Sequence, residues 1–215
     1  MTRPVVDLSV YLVTDTAQCG TVGVPAVAAA AAAGGVRVVQ VRDKEAGDRE
    51  LFMLVRAVQA AVAGTGVAVL VNDRVGVAVA AHADGVHIGQ GELDPVAARA
   101  LLGPDRLLGL SCSTAEEVTA VAGLPAATVD YLGFGPVHPT RTKRTGPALG
   151  VATTGDLCKL TALPSVAIGG LDASTAAAVI AAGAGGVAVV SAICRAADPG
   201  GAARGLRAAV QAGRR

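Results

Sequence analysis

Short apolar runs and helix-prone segments alternate eight times along this chain, every run ends in polar or glycine residues, and no linker or shift in composition interrupts the series. These observations predict an α/β fold built as a single (β/α)8 TIM barrel over residues 1–215, with the active site at the C-terminal ends of the strands. A doubly wound open sheet would place its phosphate fingerprint after the first strand, and the TDTAQCG found there is not GxGxxG.

Val10 to Thr14 (VYLVT) is a compact apolar run, as expected of a parallel strand covered on both faces. The alanine-rich segment from Val24 to Ala33 is helical by propensity and is stopped by Gly34 and Gly35. Val36 to Val41 is the second strand and runs into Arg42, Asp43 and Lys44. A helix from Asp48, read as its N-cap, to Ala63 carries Leu51, Leu54, Val55, Val58 and Val62 on one face. Val67 to Val71 is the third strand, ending at Asn72 and Asp73, and Arg74 to Ala81 is a short helix. Gly85 to Ile88 is the fourth strand, and Asp94 before Pro95 caps a helix to Leu102. Leu107 to Leu110 is the fifth strand, ending at Ser111; Thr114 with Glu117 forms a capping box for a helix to Ala122. The sixth strand starts at Tyr131 and Leu132, and Gly133 is expected to interrupt its ladder. Leu149 to Leu160 is helical, Val166 to Ile168 is the seventh strand, and Ala173 to Ala182 is helical. Gly186 to Val190 is the last strand, before Ser191 and a terminal helix from Gly201 to Ala212.

Composition narrows the function classes. A chain of 215 residues that is 52% hydrophobic can bury a sizeable core, and with only 2% aromatics that core is made of Val, Leu, Ile and Ala. Eighteen basic against 17 acidic residues give a net charge of +1, so no polyanionic partner is expected. Few aromatics leave little surface for stacking bases, which argues against nucleic acid. The four cysteines are scattered without a CxxC pair or zinc spacing, and read as buried free thiols of a cytoplasmic protein. Asp7 and Ser9 break the N-terminal apolar run, so neither a signal peptide nor a membrane association is expected. A homo-oligomer is compatible with everything in the sequence.

The strand ends carry the chemistry. In a barrel they converge on one mouth, which collects Gln40, Arg42 and Lys44, Asn72 and Asp73, Gln90 and Glu92, Ser111, Gly169 and Gly170, and Ser191. Gln40, Arg42 and Lys44 alternate along extended chain and so point to one side. Behind the sixth strand, GFGPVHPTRTKRTGP is a Gly- and Pro-shaped loop of hydroxyls and cations suited to an anion. Taken singly, Asp73 is a helix cap, Glu92 a solvated carboxylate and Gly170 a turn. Taken together, Asp73 and Glu92 from two strands beside Arg42, Lys44 and Lys143 suit a Mg2+–diphosphate complex. Backbone amides at Gly170 and after Val190 suit a second, monophosphate site. Two phosphorylated small-molecule substrates and a departing pyrophosphate describe a transferase.

The strings VQVRDK, VNDR, GVHIGQGE, LGLSCST, DYLGFGPVHPTRTK, VAIGGL and GVAVVSAI, in this order and over nearly the whole chain, resemble the thiamine phosphate synthase family. The resemblance implies a (β/α)8 barrel that condenses 4-amino-2-methyl-5-(diphosphooxymethyl)pyrimidine with (carboxy)hydroxyethylthiazole phosphate, releasing pyrophosphate and CO2. It implies that Gln40, Val41, Arg42, Asp43, Lys44, Asn72, Ser111 and Lys143 hold the pyrimidine diphosphate. Thr140, Arg141, Thr142, Gly170, Val190 and Ser191 would hold the thiazole phosphate, and Asp73 and Glu92 would ligate Mg2+. The implied route is dissociative: pyrophosphate leaves first and the thiazole nitrogen captures a pyrimidine-stabilised cation. Lys143 is the expected catalytic residue.

This chain departs from the family pattern at three places. Glu92 stands where Asp is more common, His138 where Tyr or Phe is common, and Gly185 where Asp is frequent. His87 fits the GVHIGQ pattern and is expected to play a structural role, and His82 to lie on the surface at a helix end. A thiazole tautomerase-like or regulatory relative would lose the Asp after Asn and the Pro of the GP turn; Asp73 and Pro136 are both present. A phosphate-ligand sensor would use Gly170 and Ser191 without needing Asp73, Glu92 and Lys143.

Overall fold

In the computed structural model, which describes residues 6–140 and 147–215, every one of the eight apolar runs is a strand. They are β1 (Val10–Val13), β2 (Val38–Val41), β3 (Ala68–Asn72), β4 (Gly85–Ile88), β5 (Leu107–Cys112), β6 (Tyr131–Phe134), β7 (Ser165–Ile168) and β8 (Gly186–Val189). Each pairs in parallel with the next and β8 pairs with β1, so the sheet closes and has no edge to protect. The helices are α1 (Thr16–Cys19), α2 (Val24–Ala33), α3 (Asp48–Ala61), α4 (Val75–Ala80), α5 (Pro95–Leu102), α6 (Ala115–Ala122), α7 (Gly150–Lys159), α8 (Ala176–Ala181), α9 (Ser191–Cys194) and α10 (Pro199–Gly213). No single helix among the described residues is long and apolar enough to cross a membrane.

Strand alternation divides the core in two. Val10, Leu12, Val39, Val41, Val69, Val71, Val86, Leu108, Leu132 and Val187 point outward and pack under the helices. Tyr11, Val13, Val38, Leu70, Leu107, Tyr131, Val166 and Ala188 point inward and fill the barrel. The same parity sends Gln40, Asn72, His87 and Ser111 inward near the carboxyl ends, where the interior changes from apolar to polar.

Several expectations need correction. β6 continues through Gly133, which stands opposite Ser111 and Val166, so this glycine does not interrupt the ladder. Its missing side chain leaves room for the His87 ring, since a Cβ there would lie 3.0 Å from His87 Cε1. β5 extends to Cys112, which places Ser111 within the strand rather than beyond it. Gly47, not Asp48, is the N-cap of α3, and the Asp48 carboxylate pairs with Arg74 at 3.2 Å instead. The four-residue helices α1 and α9 follow β1 and β8 directly and have too few residues to show a helical period. Arg141, Thr142 and Lys143, with Arg144, lie outside the described residues.

Candidate active site

One cavity opens at the carboxyl ends of the strands, and it gathers most of the expected site residues that the structure describes. Gln40, Arg42, Asn72, Ser111, Thr140, Gly170, Val190 and Ser191 all line it, joined by Tyr11, His87, Ser113, Pro136 and Ile168. Two expected residues turn away. The Val41 side chain is fully buried in the layer between barrel and helices, so only its backbone could serve a ligand. The Asp43 carboxylate accepts from the amides of Glu45 and Ala46 in its own loop. Burial alone would raise that carboxyl, but the Thr16 hydroxyl and these amides outweigh it and hold it below its ordinary value.

On the rim Asp73 and Glu92 face one cation. Lys44 Nζ donates to Asp73 Oδ2 and lies 3.9 Å from Glu92 Oε1. Asn72 Nδ2 also donates to Asp73 Oδ2, at 2.7 Å, and the Asp73 backbone sits at φ 60, where the chain turns sharply out of β3. Oxygen donors on two neighbouring strand ends, aimed at a single positive charge, fit a hard divalent cation. Among the described residues no cluster of three or more His, Cys, Asp or Glu gathers to cage a metal. A two-carboxylate site that leaves other positions to phosphate and water is the arrangement Mg2+ favours.

Arg42 is fixed from two directions by the end of β1. Its amide donates to Thr14 Oγ1 at 3.0 Å, and its guanidinium lies 3.6 Å from Asp15 Oδ2. The other Asp15 oxygen caps α1 by accepting from the Gln18 amide at 3.0 Å. The two side chains are only 15% and 20% exposed, so this pair is less screened than a surface salt bridge.

The deeper wall holds a continuous run of hydrogen bonds. Gln40 Nε2 donates to the Tyr11 hydroxyl at 2.7 Å, and the Tyr11 and Tyr131 hydroxyls are 2.9 Å apart. The Tyr131 hydroxyl meets His87 Nδ1 at 2.9 Å, and His87 Nε2 meets Ser111 Oγ at 2.9 Å. Gly109 makes this run feasible. It stands in register between His87 on β4 and Tyr131 on β6, and a Cβ there would fall 2.2 Å from the Tyr131 ring and 2.5 Å from His87 Nδ1. Burial pushes the Tyr11 phenol up to about 12 and Tyr131 well above its ordinary value, so both keep their protons at neutral pH.

The ends of β7 and β8 form the opposite wall. Gly170 turns at φ 66 and packs on the loop after β6, where a Cβ would lie 2.6 Å from His138 Cβ. A side chain is excluded there by both backbone angle and space. Val190 is the N-cap of α9, so the first amides of that short helix stand beside the cavity at Ser191.

Reading strand ends overlooks Tyr11 and His87, which line the cavity, and Tyr131, which is hydrogen-bonded to both. The His87 ring, expected to be structural, is held between Tyr131 and Ser111 and also lines the cavity. A signal was present: the chain has only two tyrosines, both inside apolar strands, and buried hydroxyls require partners. The same polar-inside-apolar logic applies to the histidine in GVHI. His82 lies on the surface after α4, as expected, with φ 52.

Residues 10–193 match the family model described as thiamine monophosphate synthase. The thiamine-phosphate synthase of Xanthobacter autotrophicus is 50% identical over 209 residues, covering 97% of this chain and 98% of the relative. That of Azorhizobium caulinodans is 47% identical over 210 residues with the same coverage. Among solved structures, thiamine phosphate pyrophosphorylase from Pyrococcus furiosus superposes with a TM-score of 0.86 at 29% identity, covering 97% of this chain and 98% of that one. A 3-hexulose-6-phosphate synthase, at 20% identity and a TM-score of 0.69, shares the fold alone. Barrel, cavity and sequence agree, and the chain belongs to the thiamine monophosphate synthase family.

Proposed function

We propose that this one-domain barrel condenses 4-amino-2-methyl-5-(diphosphooxymethyl)pyrimidine with (carboxy)hydroxyethylthiazole phosphate, giving thiamine phosphate, pyrophosphate and CO2. The observation that carries the reading is the convergence of Arg42, Asn72, Ser111, Gly170 and Ser191 on one cavity, with Lys44, Asp73 and Glu92 at its rim. Its two anion-binding walls lie on opposite sides, β2 to β5 against β7 and β8, as two phosphorylated substrates require.

In this proposal Arg42, Lys44, Asn72 and Ser111 hold the diphosphate, and Lys143 adds its charge to the leaving group. Asp73 and Glu92 hold Mg2+, which when bound supplies charge neutralisation on the diphosphate oxygens. Thr140, Arg141, Thr142 and the amides at Gly170, Val190 and Ser191 hold the thiazole phosphate. The barrel's contribution is electrostatic and positional: cations stabilise departing pyrophosphate, and the fixed walls bring the thiazole nitrogen to the exposed carbon. The scissile C–O bond breaks with its electron pair going to pyrophosphate, and the thiazole nitrogen lone pair forms the new C–N bond. Where the thiazole is carboxylated, its carboxylate then leaves as CO2, the C–C bond pair stays on the ring carbon, and that carbon takes a proton from water. No general base is needed for that step. Mixing the protein with both phosphorylated substrates and Mg2+ should give thiamine phosphate and pyrophosphate in equal amounts. Binding of both ligands without product would support a phosphate-ligand sensor instead.

A further inference from the structure

The hydrogen-bond run behind the cavity takes its direction from the Gln40 amide, whose Nε2 faces the Tyr11 hydroxyl at 2.7 Å. The Gln40 Nε2 group can only donate, so the Tyr11 oxygen accepts there. The Tyr11 proton then has the Tyr131 oxygen as its partner in the run, at 2.9 Å. With its oxygen already accepting, Tyr131 turns its own proton toward His87 Nδ1. A bare Nδ1 leaves the ring proton on Nε2, which donates to Ser111 Oγ. Ser111 lines the cavity, so its hydroxyl hydrogen is turned toward whatever binds there. A doubly protonated ring breaks this sequence. Nδ1–H would donate to Tyr131, Tyr131 to Tyr11, and the Tyr11 proton would be left without an acceptor in the run.

We propose that Tyr11 and Tyr131 are positioning residues which, through His87, hold the Ser111 hydroxyl as a hydrogen-bond donor to the cavity. A serine hydroxyl ordinarily rotates between donating and accepting. Here Nε2–H takes one of its two lone pairs and offers its hydrogen no acceptor, so the hydrogen is left to the ligand side and favours oxygen acceptors such as an anion. That the acceptor is a diphosphate oxygen rests on the assignment of Ser111 under the proposed function; the direction of the run does not.

The direct test is nitrogen-15 NMR of the ligand-free protein labelled at its three histidines, with His87→Gln used to assign the His87 signals. The expected result is an unprotonated Nδ1 and a protonated Nε2. A proton on Nδ1, alone or with one on Nε2, overturns the proposal. The second test is a kinetic cycle on the full chain. Tyr131→Phe should lower kcat/KM for the pyrimidine diphosphate by about tenfold, the loss of one well-oriented bond to a charged group. In a Ser111→Ala background the same change should cost less than about twofold, because the group it acts through is gone. Losses that multiply would show that Tyr131 acts independently of Ser111 and would overturn the positioning role. If the wild-type protein makes no thiamine phosphate, the functional reading fails while the NMR result still decides where the proton lies.

Discussion

At Asp73 a single carboxylate oxygen accepts from Asn72 and faces Lys44, while the neighbouring strand supplies Glu92. Asp73→Asn keeps the size and removes the charge, so Mg2+-dependent turnover should be abolished while thiazole phosphate still binds, as measured by calorimetry. Unchanged turnover would remove Asp73 from the metal site. Gly109 makes a different demand, since a methyl group there enters the Tyr131 ring and the His87 ring together. Gly109→Ala should therefore destabilise the protein by about 1–3 kcal/mol in urea unfolding and sharply lower activity. The legibility of these residues differs for a physical reason. Gln40, Arg42, Asn72 and Ser111 could be read because a barrel sends every strand's carboxyl end to the same mouth, whatever its neighbours. His87, Tyr11 and Tyr131 meet inside the barrel across other strands, and the contact of His87 with Tyr131 depends on register and on the gap at Gly109. Neither is visible in a linear pattern.

At the scale of elements, a clasp repeats at the starts of alternate strands. Asp84, just before β4, accepts from the Val69 amide at 2.7 Å, and Asp130, just before β6, accepts from the Leu108 amide at 2.7 Å. Asp130 is further held by Arg99 at 2.6 Å. Before β8 the corresponding residue is Gly185, whose Cβ would lie 3.0 Å from the Ser165 carbonyl oxygen and 3.7 Å from its amide nitrogen. This departure lies at the amino end of the barrel, at the opposite end of β8 from Val190 and Ser191. Gly185→Asp should supply the clasp but, with the Ser165 carbonyl crowding its Cβ, gain less in urea unfolding than the about 1 kcal/mol one such bond is usually worth, with kcat unchanged. Asp15 allows a cleaner separation. Asn caps helices as well as Asp, so Asp15→Asn should leave the melting temperature unchanged and raise KM for the pyrimidine diphosphate by weakening the hold on Arg42. An altered melting temperature with unchanged KM would show that only the cap matters. Strand and helix boundaries were legible to within a few residues, whereas α1 and α9 were not, because four residues are too few to show periodicity.

For the whole molecule, closure of the sheet is what gathers scattered strand ends around one cavity, with the ends of β2 to β5 facing those of β7 and β8. Acid should test the charged framework of the loops. Neighbouring hydroxyls and amides hold Asp172 below its ordinary carboxylate value of 3.8, and they outweigh burial to do the same for Asp43. A depressed folded value means stability that is present above the unfolded value and lost as pH falls through the folded one. The urea midpoint should therefore decline as pH falls below about 4. The central claim, that this mouth joins two phosphorylated rings, is tested most directly by product analysis. Purified protein with the pyrimidine diphosphate, the thiazole phosphate and Mg2+ should release thiamine phosphate and pyrophosphate one for one, and Asp73→Asn should release neither. Tight binding of both substrates with no thiamine phosphate formed would contradict it.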